Sequence, residues 1–394
     1  MESLVVHRNQ NLGGNMTVTS SKMKRSGMWS RRQFTKGMVA AGAATAMGGL
    51  PIRSAQAGTD VYWMGWQGYD DCFRTTDYIE GNDITFITTY ISSNEEVITK
   101  LAAGGLGKYD ISTMYFGYVQ MMAEAGLIQP IDESKVDVLV GGQIMPEFLT
   151  QESLRWNDKL YAVPWTWGTI PMMYDPAAIE APKRWKDLWD PLYKNKIGMI
   201  NDPLGSLFVW IPAITGNQTP NMSTHAQVKE TVDALIDLKK NHARAVFQGF
   251  GEAADAFARD EIVVTSLGWE AMVSFAAAKG KVIDFTIPEE GTMMFMDAFI
   301  IPTDAPNRDI AYDLANVCLG KEGQLSLAEG LGQAIVNRDV VPLVSQENRD
   351  MYRYDNFSEI SKKARLWSMP PSESDGVHAT YDEMIEEMER LAKA

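Results

Sequence analysis

A short segment near residue 65 combines groups that could bind a cation. In GWQGYDD (65–71), Trp66 and Tyr69 offer aromatic faces and Asp70 and Asp71 offer carboxylates, directly after the strand-like run DVYWM. A turn uses glycines and sometimes an aspartate, but it does not need two large aromatic side chains. A turn alone therefore does not explain Trp66 and Tyr69, whereas Asp70 and Asp71 are typical of turn or helix-cap residues.

Residues 1–57 have the composition of an export signal. They contain SRRQFTK with its arginine pair Arg31–Arg32, a mild apolar run over 37–50, and an A-x-A site at 55–57. A basic region, an apolar region too short to span a bilayer and a small-residue cleavage site are typical of a signal peptide. The arginine pair resembles the twin-arginine signal. We therefore predict a twin-arginine signal peptide over 1–57, cleavage after it, and a mature protein in the periplasm.

The charge of the chain argues against nucleic acid as a partner. The sequence has 36 Lys and Arg against 51 Asp and Glu, a net charge of −15. Eight of these bases and one acid lie in residues 1–57, so the rest of the chain has 28 bases and 50 acids, a net charge of −22. Such a surface repels phosphate backbones and suits a cationic ligand. No segment after residue 57 has the roughly 18 consecutive apolar residues of a transmembrane helix, so we expect a soluble protein.

Residue types that carry enzyme or metal chemistry are sparse. After residue 57 the only histidines are His225, His242 and His378, and none is at metal-ligand spacing from another. G-x-S-x-G, H-E-x-x-H and phosphate-binding glycine loops are absent from the sequence. We therefore expect no cofactor and no enzymatic activity. Cys72 and Cys318, the only cysteines, could pair in an oxidising compartment or remain two free thiols.

Strand-like runs alternate with amphipathic helical stretches. DVYWM, DITFITTYI and YDISTMYF predict strands, whereas SSNEEVITKLAAGG, with Glu95 in its first turn, and GYVQMMAEAG predict helices. This alternation indicates an α/β fold with parallel strands. A last helix from Tyr381 has apolar residues on one face and acids on the other, so we expect it to dock on the body of the protein.

Eight segments occur in a fixed order that resembles one known family. They are GWQGY, NEEVITKLAAGGLGKYDIS, AGLIQPID, YAVPWTWGT, RWKDLWDPLYKNKIGMINDP, LGWEAM, PEEGTMMFMDAFIIPTDAPN and LGQAIVN. Together they resemble the spermidine/putrescine-binding group of periplasmic solute-binding proteins of ABC importers, over nearly all of residues 60–390. The resemblance implies a monomer that captures a small cationic ligand, such as putrescine or spermidine, and delivers it to an ABC permease in the inner membrane.

The resemblance also implies a two-lobed periplasmic binding protein fold (type II). Each lobe would be a mixed β-sheet flanked by helices, and two crossover strands, VPWTWG and MDAFIIP, would join the lobes. Lobe 1 would comprise residues 58–164 and 298–345, and lobe 2 would comprise 165–297 and 346–394. Strand ends at the crevice of such sheets are where ligands bind.

The residues that match the family's cleft can be named individually. Asp297 matches a carboxylate that grips the amine, with a crossover aspartate that bonds backbone amides as the alternative. Trp269 matches a stacking tryptophan, or else belongs to the core, and Glu270 could supply a second carboxylate or face solvent. The full implied set is Trp66, Gln67, Tyr69, Tyr115, Tyr118, Asp202, Trp269, Glu270, Phe295, Asp297 and Gln333. The short segments that match the family's cleft contain five acids and no Lys or Arg; they are GWQGYDD, MYFGY, PWTWG, INDPLGS, LGWEAM, FMDAF and LGQAI.

Departures from the family pattern keep other ligands open. Where the spermidine binder has an Asp and Glu pair, this chain reads NDPLGS with Asp202 as its only acid, and Gln333 stands where the family often has Tyr. One end of a long polyamine would then lose a contact, which favours a shorter diamine or another amine such as 4-aminobutyrate. A ferric-iron binder of the same fold would need clustered ligands, commonly adjacent tyrosines, and Tyr115 and Tyr118 are not adjacent. A module that reports to a receptor is a further alternative that the sequence leaves open.

Overall fold

Two β-sheets organise the part of the chain that this computed structural model describes, residues 58–91 and 93–394. The predicted signal peptide lies outside these residues. The strands are β1 (Thr59–Gly65), β2 (Ile84–Tyr90), β3 (Ile111–Tyr115), β4 (Arg155–Trp156), β5 (Lys159–Leu160), β6 (Ala162–Thr169), β7 (Met172–Tyr174), β8 (Ile197–Ile200), β9 (Ala243–Phe247), β10 (Val264–Thr265), β11 (Asp284–Thr286), β12 (Thr292–Ile300), β13 (Ala334–Ile335) and β14 (Ala364–Arg365).

Helices flank both sheets, and several short 3-10 turns connect them. The α-helices are α1 (Tyr78–Gly81), α2 (Asn94–Lys100), α3 (Val119–Glu124), α4 (Asp137–Val140), α5 (Pro146–Leu149), α6 (Pro203–Thr215), α7 (His225–Asn241), α8 (Phe250–Ala258), α9 (Met272–Ala277), α10 (Arg308–Leu319), α11 (Lys321–Gly330), α12 (Gln346–Tyr352), α13 (Phe357–Lys363) and α14 (Tyr381–Lys393). The early strands and helices and the last helix lie where the sequence pattern predicts them.

The first sheet has the strand order β13-β6-β12-β3-β1-β2, and β14 pairs with the start of β12. β1 runs parallel to β2 and β3, whereas β12 runs antiparallel to β3 and β6. The second sheet has the order β11-β7-β10-β8-β9, in which β8 is parallel to β9 and β10. A mixed sheet in each lobe, flanked by helices, is the two-lobed type II fold that the sequence predicts.

Strands β6 and β12 form the centre of the first sheet and lead to the second. Every residue of β6 is buried, and β12 is buried except at the half-buried Phe295. Near-continuous burial is typical of strands covered on both faces. Two residues connect β6 to β7 of the second sheet, and a short loop returns the chain from β11 to β12. The predicted lobe boundaries, after residues 164 and 297, fall inside these two strands, so the division into lobes stays a prediction.

The last helix docks on the side of the second sheet. α14 packs against α7, which in turn packs against α6. Met384 and Met388 are buried at this contact, and Arg390 reaches Asp233 of α7 at 2.6 Å. The apolar stripe of α14 therefore covers a helix layer, as its sequence predicts. In the described part of the chain, no helix is both long enough and apolar enough to cross a membrane.

Candidate functional site

The segment after β1 places an aromatic hydroxyl beside a buried carboxylate. Residues 65–74, here called the wall turn, end in a 3-10 turn that contains Tyr69. The Tyr69 hydroxyl donates a hydrogen bond of 2.9 Å to Oδ2 of Asp297 in β12, and its ring meets Trp165 of β6 edge-on, with centroids 4.6 Å apart. Two residues that are 228 positions apart in sequence therefore form one buried pair.

Among the residues that the structure describes, Asp297 has no positively charged partner. Its side chain is only 6% exposed, and burial raises its pKa to about 6, while the Tyr69 hydrogen bond acts in the opposite direction. Within residues 58–91 and 93–394, no basic side chain contributes to this pKa shift. A buried carboxylate is costly unless it is paired or hydrogen-bonded. One tyrosine hydroxyl meets only part of that demand, so a cation bound here would be stabilised strongly.

A second buried carboxylate lies at the end of β6. Glu270 is 2% exposed and accepts hydrogen bonds from the Thr169 backbone N–H, at 2.9 Å, and from the Thr169 hydroxyl. Burial raises its pKa to about 7, although the Thr169 bonds favour the ionised form. The structure therefore buries Glu270 against the crossover strand, which answers the question of whether it faces solvent.

An aromatic ring lies near both of these carboxylates. Phe295 stands two residues before Asp297, so their side chains share one face of β12. The register places Phe295 opposite Gly168 and Asp297 opposite Thr166, with an irregularity just after Asp297. A Cβ at Gly168 would lie 2.5 Å from the Phe295 ring and 3.3 Å from Oε2 of Glu270. The glycine therefore permits the ring to lie against β6, close to Glu270.

Tyr115 and Tyr118, which the resemblance assigns to the cleft, lie in a separate cluster near Glu95, and Tyr381 also belongs to this cluster. The Tyr118 hydroxyl donates a 2.5 Å hydrogen bond to Oε1 of Glu95, and the Tyr381 hydroxyl donates a second bond of 2.5 Å to the same oxygen. The rings of Tyr115 and Tyr118 are 6.3 Å apart, and the Tyr115 hydroxyl donates to the Trp367 carbonyl at 2.7 Å. The Tyr hydroxyls lower the pKa of Glu95 although burial opposes them.

Asp202 caps a helix near the Glu95 cluster. Its Oδ1 accepts a 3.0 Å hydrogen bond from the Gly205 N–H at the start of α6. Burial raises the pKa of Asp202, and the negative charge of Glu95 raises it further. Burial raises the pKa of Tyr115, and the negative charges of Asp297 and Asp202 raise it further. Glu95, Asp202 and Asp297 therefore act on one region, although Asp202 follows a strand of the second sheet and the other two acids belong to the first sheet or the helix beside it.

The remaining predicted residues have varied surroundings. Trp269 is half-buried between Phe250 and Phe275, with ring centroids 5.9 and 5.7 Å away. Gln333 is buried, and its Oε1 lies 3.5 Å from the Thr166 hydroxyl beside Asp297. Gln67 in the wall turn is exposed.

The other polar residues of the wall turn also differ from one another. Trp66 is half-buried and its carbonyl accepts a hydrogen bond from the Tyr69 N–H, as a turn requires. Asp70 is buried and accepts a 3.2 Å bond from the Tyr90 hydroxyl, whereas Asp71 is exposed. Both aspartates remain turn residues in our interpretation.

Sequence reasoning missed three residues of this region. Glu95 reads as an ordinary acid in the first turn of a helix, because both of its tyrosine partners are distant in sequence. Gly168 and Thr169 read as the end of a crossover strand, and only their contacts with Phe295 and Glu270 reveal a further role. These contacts join residues that are far apart in the sequence, so no local spacing pattern indicates them.

The chain is similar to known solute-binding proteins over most of its length. The family model described as bacterial extracellular solute-binding protein matches residues 74–351. The spermidine/putrescine-binding periplasmic protein of Salmonella typhimurium is 26% identical over 359 residues, 90% of this chain and 97% of that protein. The putrescine-binding periplasmic protein PotF of Escherichia coli is 24% identical over 337 residues, 81% of this chain and 88% of that protein.

A solved structure shares the fold. The crystal structure of the spermidine/putrescine ABC transporter substrate-binding protein PotD from Streptococcus pneumoniae has a TM-score of 0.70 and 24% identity. The match covers 85% of this chain and 99% of that one. These relatives are binding proteins, which confirms the expectation that the chain is not an enzyme. From the family match and the two-sheet fold together, the chain belongs to the bacterial extracellular solute-binding proteins.

Proposed function

We propose that this protein captures a polyamine between its two lobes and delivers it to an ABC permease in the inner membrane. The observation that carries the proposal is Asp297, a buried carboxylate with a raised pKa and a tyrosine hydroxyl as its partner, on whose pKa no basic side chain of the described residues acts. The relatives reported above bind spermidine and putrescine according to their names. Export by a twin-arginine signal, action as a monomer and the absence of nucleic acid as a partner are further parts of the proposal.

Energetics require several contacts to act together. A hydrogen bond to a charged group contributes roughly 1.5–3 kcal/mol, and a cation over an aromatic face contributes about 0.5–2 kcal/mol. Association costs something like 4–15 kcal/mol, so no single contact is sufficient. In the proposed complex, Asp297 accepts from one ammonium, and Tyr69, Phe295 and Trp269 contact the methylenes between the amines.

The spacing along β6 bears on ligand length. Asp297 lies opposite Thr166, and Glu270 bonds the N–H of Thr169, three residues further along the strand. At about 3.3 Å per residue, these strand positions are about 10 Å apart. The five bonds between the nitrogens of putrescine, at about 1.5 Å each, span at most about 7 Å. A triamine could therefore contact both carboxylates, whereas a diamine would contact one.

An amino-acid-like ligand has less support. Its ammonium would also bind Asp297, but its carboxylate would need a basic partner. Arg353 is the base whose charge acts on Glu270, and its side chain is exposed. Ferric iron would need clustered tyrosine oxygens, whereas the hydroxyls of Tyr69, Tyr115 and Tyr118 donate to three different acceptors, which are Asp297, the Trp367 carbonyl and Glu95.

Calorimetric titration tests the proposal. The purified protein is unfolded and refolded to remove carried-over ligand, and is then titrated with putrescine, spermidine, 4-aminobutyrate and ferric citrate. We expect saturable binding of spermidine or putrescine with a micromolar or lower Kd. Absence of binding to both amines, together with binding of 4-aminobutyrate or iron, would retain the family and overturn the polyamine as ligand.

A further inference from the structure

Two cysteines that the binding function does not use are buried next to each other. Cys72 lies in the wall turn, which packs against α10 and α11, and Cys318 lies near the end of α10. Both side chains are 0% exposed. The Cys72 thiol donates to the Tyr69 carbonyl at 3.1 Å, and the Cys318 thiol lies 3.5 Å from the Ala315 carbonyl.

The fold brings these thiols together from distant parts of the sequence. Burial raises the pKa of Cys72 and the neighbouring Cys318 thiol raises it further, so the two side chains lie near each other where the wall turn packs on α10. Both are free thiols in the structure. They belong to no metal-holding group of His, Cys, Asp or Glu among residues 58–91 and 93–394. A thiol pair enclosed by packed elements meets the first requirement of a disulfide, which is proximity without a large backbone movement.

We propose that Cys72 and Cys318 are a redox pair that closes to an intramolecular disulfide by exchange with a disulfide oxidant, which fastens the wall turn to α10. The thiolate of one cysteine attacks the oxidant, forms a mixed disulfide and releases one oxidant thiol. The second cysteine attacks the protein sulfur of that mixed disulfide and releases the other oxidant thiol. The two cysteines lose two protons and two electrons, and the oxidant is reduced to two thiols.

The bond would act on the binding site through one short segment. Cys72 is three residues after Tyr69, whose carbonyl it already contacts and whose hydroxyl donates to Asp297. A covalent link at Cys72 would therefore restrict the wall turn while leaving the ligand contacts themselves unchanged. Burial raises the pKa of Cys72, so the thiolate is scarce in the folded protein and exchange with the oxidant is slow there. The periplasm, where the family's relatives are found, permits disulfides.

Refolding in a glutathione redox buffer tests the proposal. The protein is unfolded with reductant, transferred to a fixed ratio of reduced and oxidised glutathione, and either refolded or held in urea. Free thiols are then alkylated under denaturing conditions and counted by intact mass. We expect the refolded protein to carry no alkyl group and to be two hydrogens lighter. The fraction with this bond should be at least about tenfold higher than in urea, because the fold raises the effective concentration of one thiol at the other.

Single-cysteine variants provide the control. Cys72→Ser and Cys318→Ser each leave one thiol, which should be alkylated or carry one glutathione and never show the two-hydrogen loss. If the serine variants fail to fold, Cys72→Ala and Cys318→Ala preserve the apolar surroundings. Two alkyl groups on the refolded protein, or an equal amount of disulfide in urea, would overturn the proposal.

Stability gives a second readout. Joining residues 72 and 318 restricts the unfolded chain, so the oxidised protein should unfold at a higher urea concentration than the reduced protein. Reductant should not shift the midpoint of Cys318→Ser. An oxidised protein that unfolds at lower urea than the reduced one would show that the native geometry does not accommodate the bond, and would contradict the proposal.

Discussion

Proton binding and cation binding compete at Asp297. Its pKa is raised to about 6 in the ligand-free protein, and a cation binds only the ionised form. We therefore expect spermidine affinity to fall as the pH is lowered from 8 to 5, by up to about tenfold per pH unit below the pKa. Calorimetric titration with spermidine between pH 8 and pH 5 measures this change in affinity.

Substitution tests the same assignment at constant shape. Asp297→Asn should weaken spermidine binding at pH 8 by at least about tenfold, because it removes one charge-assisted hydrogen bond. It should also remove the part of the pH dependence near pH 6. Tyr69→Phe retains the carboxylate and serves as the matched control, with a smaller loss. An unchanged Kd in Asp297→Asn would remove Asp297 from the site.

Removing the charge of Glu270 and removing that of Glu95 should change stability at pH 8 in opposite directions. Glu270 has a folded-state pKa of about 7, above its ordinary 4.5. Its contribution to the free energy of unfolding is therefore fully present at low pH and is lost as the pH rises through 7. Glu270→Gln should therefore stabilise the ligand-free protein at pH 8, by at most about 3 kcal/mol, and change little at pH 5. Urea unfolding at both pH values measures this difference.

Glu95 is the matched comparison for Glu270. Its pKa is lowered, so its contribution is present at neutral pH and is lost as the pH falls through the folded-state pKa. Glu95→Gln should therefore destabilise the protein at pH 8. If both variants shift the midpoint in the same direction at pH 8, the opposite electrostatic surroundings inferred for the two carboxylates are wrong.

At the scale of elements, the paired strands β6 and β12 depend on one glycine. A Cβ at Gly168 would lie 2.5 Å from the Phe295 ring, so Gly168→Ala must displace the ring. We expect a loss of about 1–3 kcal/mol of stability and weaker ligand binding. Gly249→Ala is the control, since nothing lies within 4 Å of a Cβ there. Equal behaviour of the two variants in urea unfolding and titration would contradict the packing argument.

The same elements show what the sequence can and cannot predict. β1, β2, β3 and α14 follow from local periodicity and lie where the sequence pattern places them. The sequence does not predict the pairing of β6 with β12, because both strands are almost uniformly apolar and have no period that reveals a partner; the resemblance implies only that both are crossover strands. Asp297 could be proposed from the family pattern, but its Tyr69 partner and raised pKa depend on tertiary contacts.

For the whole molecule, Glu95 links elements that belong to different sheets. Its helix α2 follows β2 of the first sheet and packs against β3, whereas Tyr381 begins α14, which packs on α7 beside the second sheet. Tyr118, in the segment just after β3, donates to the same Glu95 oxygen from the first-sheet side. The Tyr381 hydrogen bond therefore joins Glu95 to a helix beside the second sheet, whereas the Tyr118 hydrogen bond stays beside the first sheet.

This geometry predicts different effects for two tyrosine variants. Tyr381→Phe removes the hydrogen bond that joins α14 to Glu95. With the proposed division into lobes this bond breaks on opening, so the open form should be more populated in the variant and ligand affinity should fall by about tenfold or less. Tyr118→Phe removes a bond to the same carboxylate oxygen within one lobe, so it should lower stability with little change in affinity. Titration and small-angle scattering with and without ligand distinguish these effects. A larger ligand-free radius of gyration in Tyr381→Phe alone would support the Tyr381 hydrogen bond as a closure contact. If both variants lose affinity equally and keep the radius of the parent protein, Glu95 stabilises the fold without controlling closure.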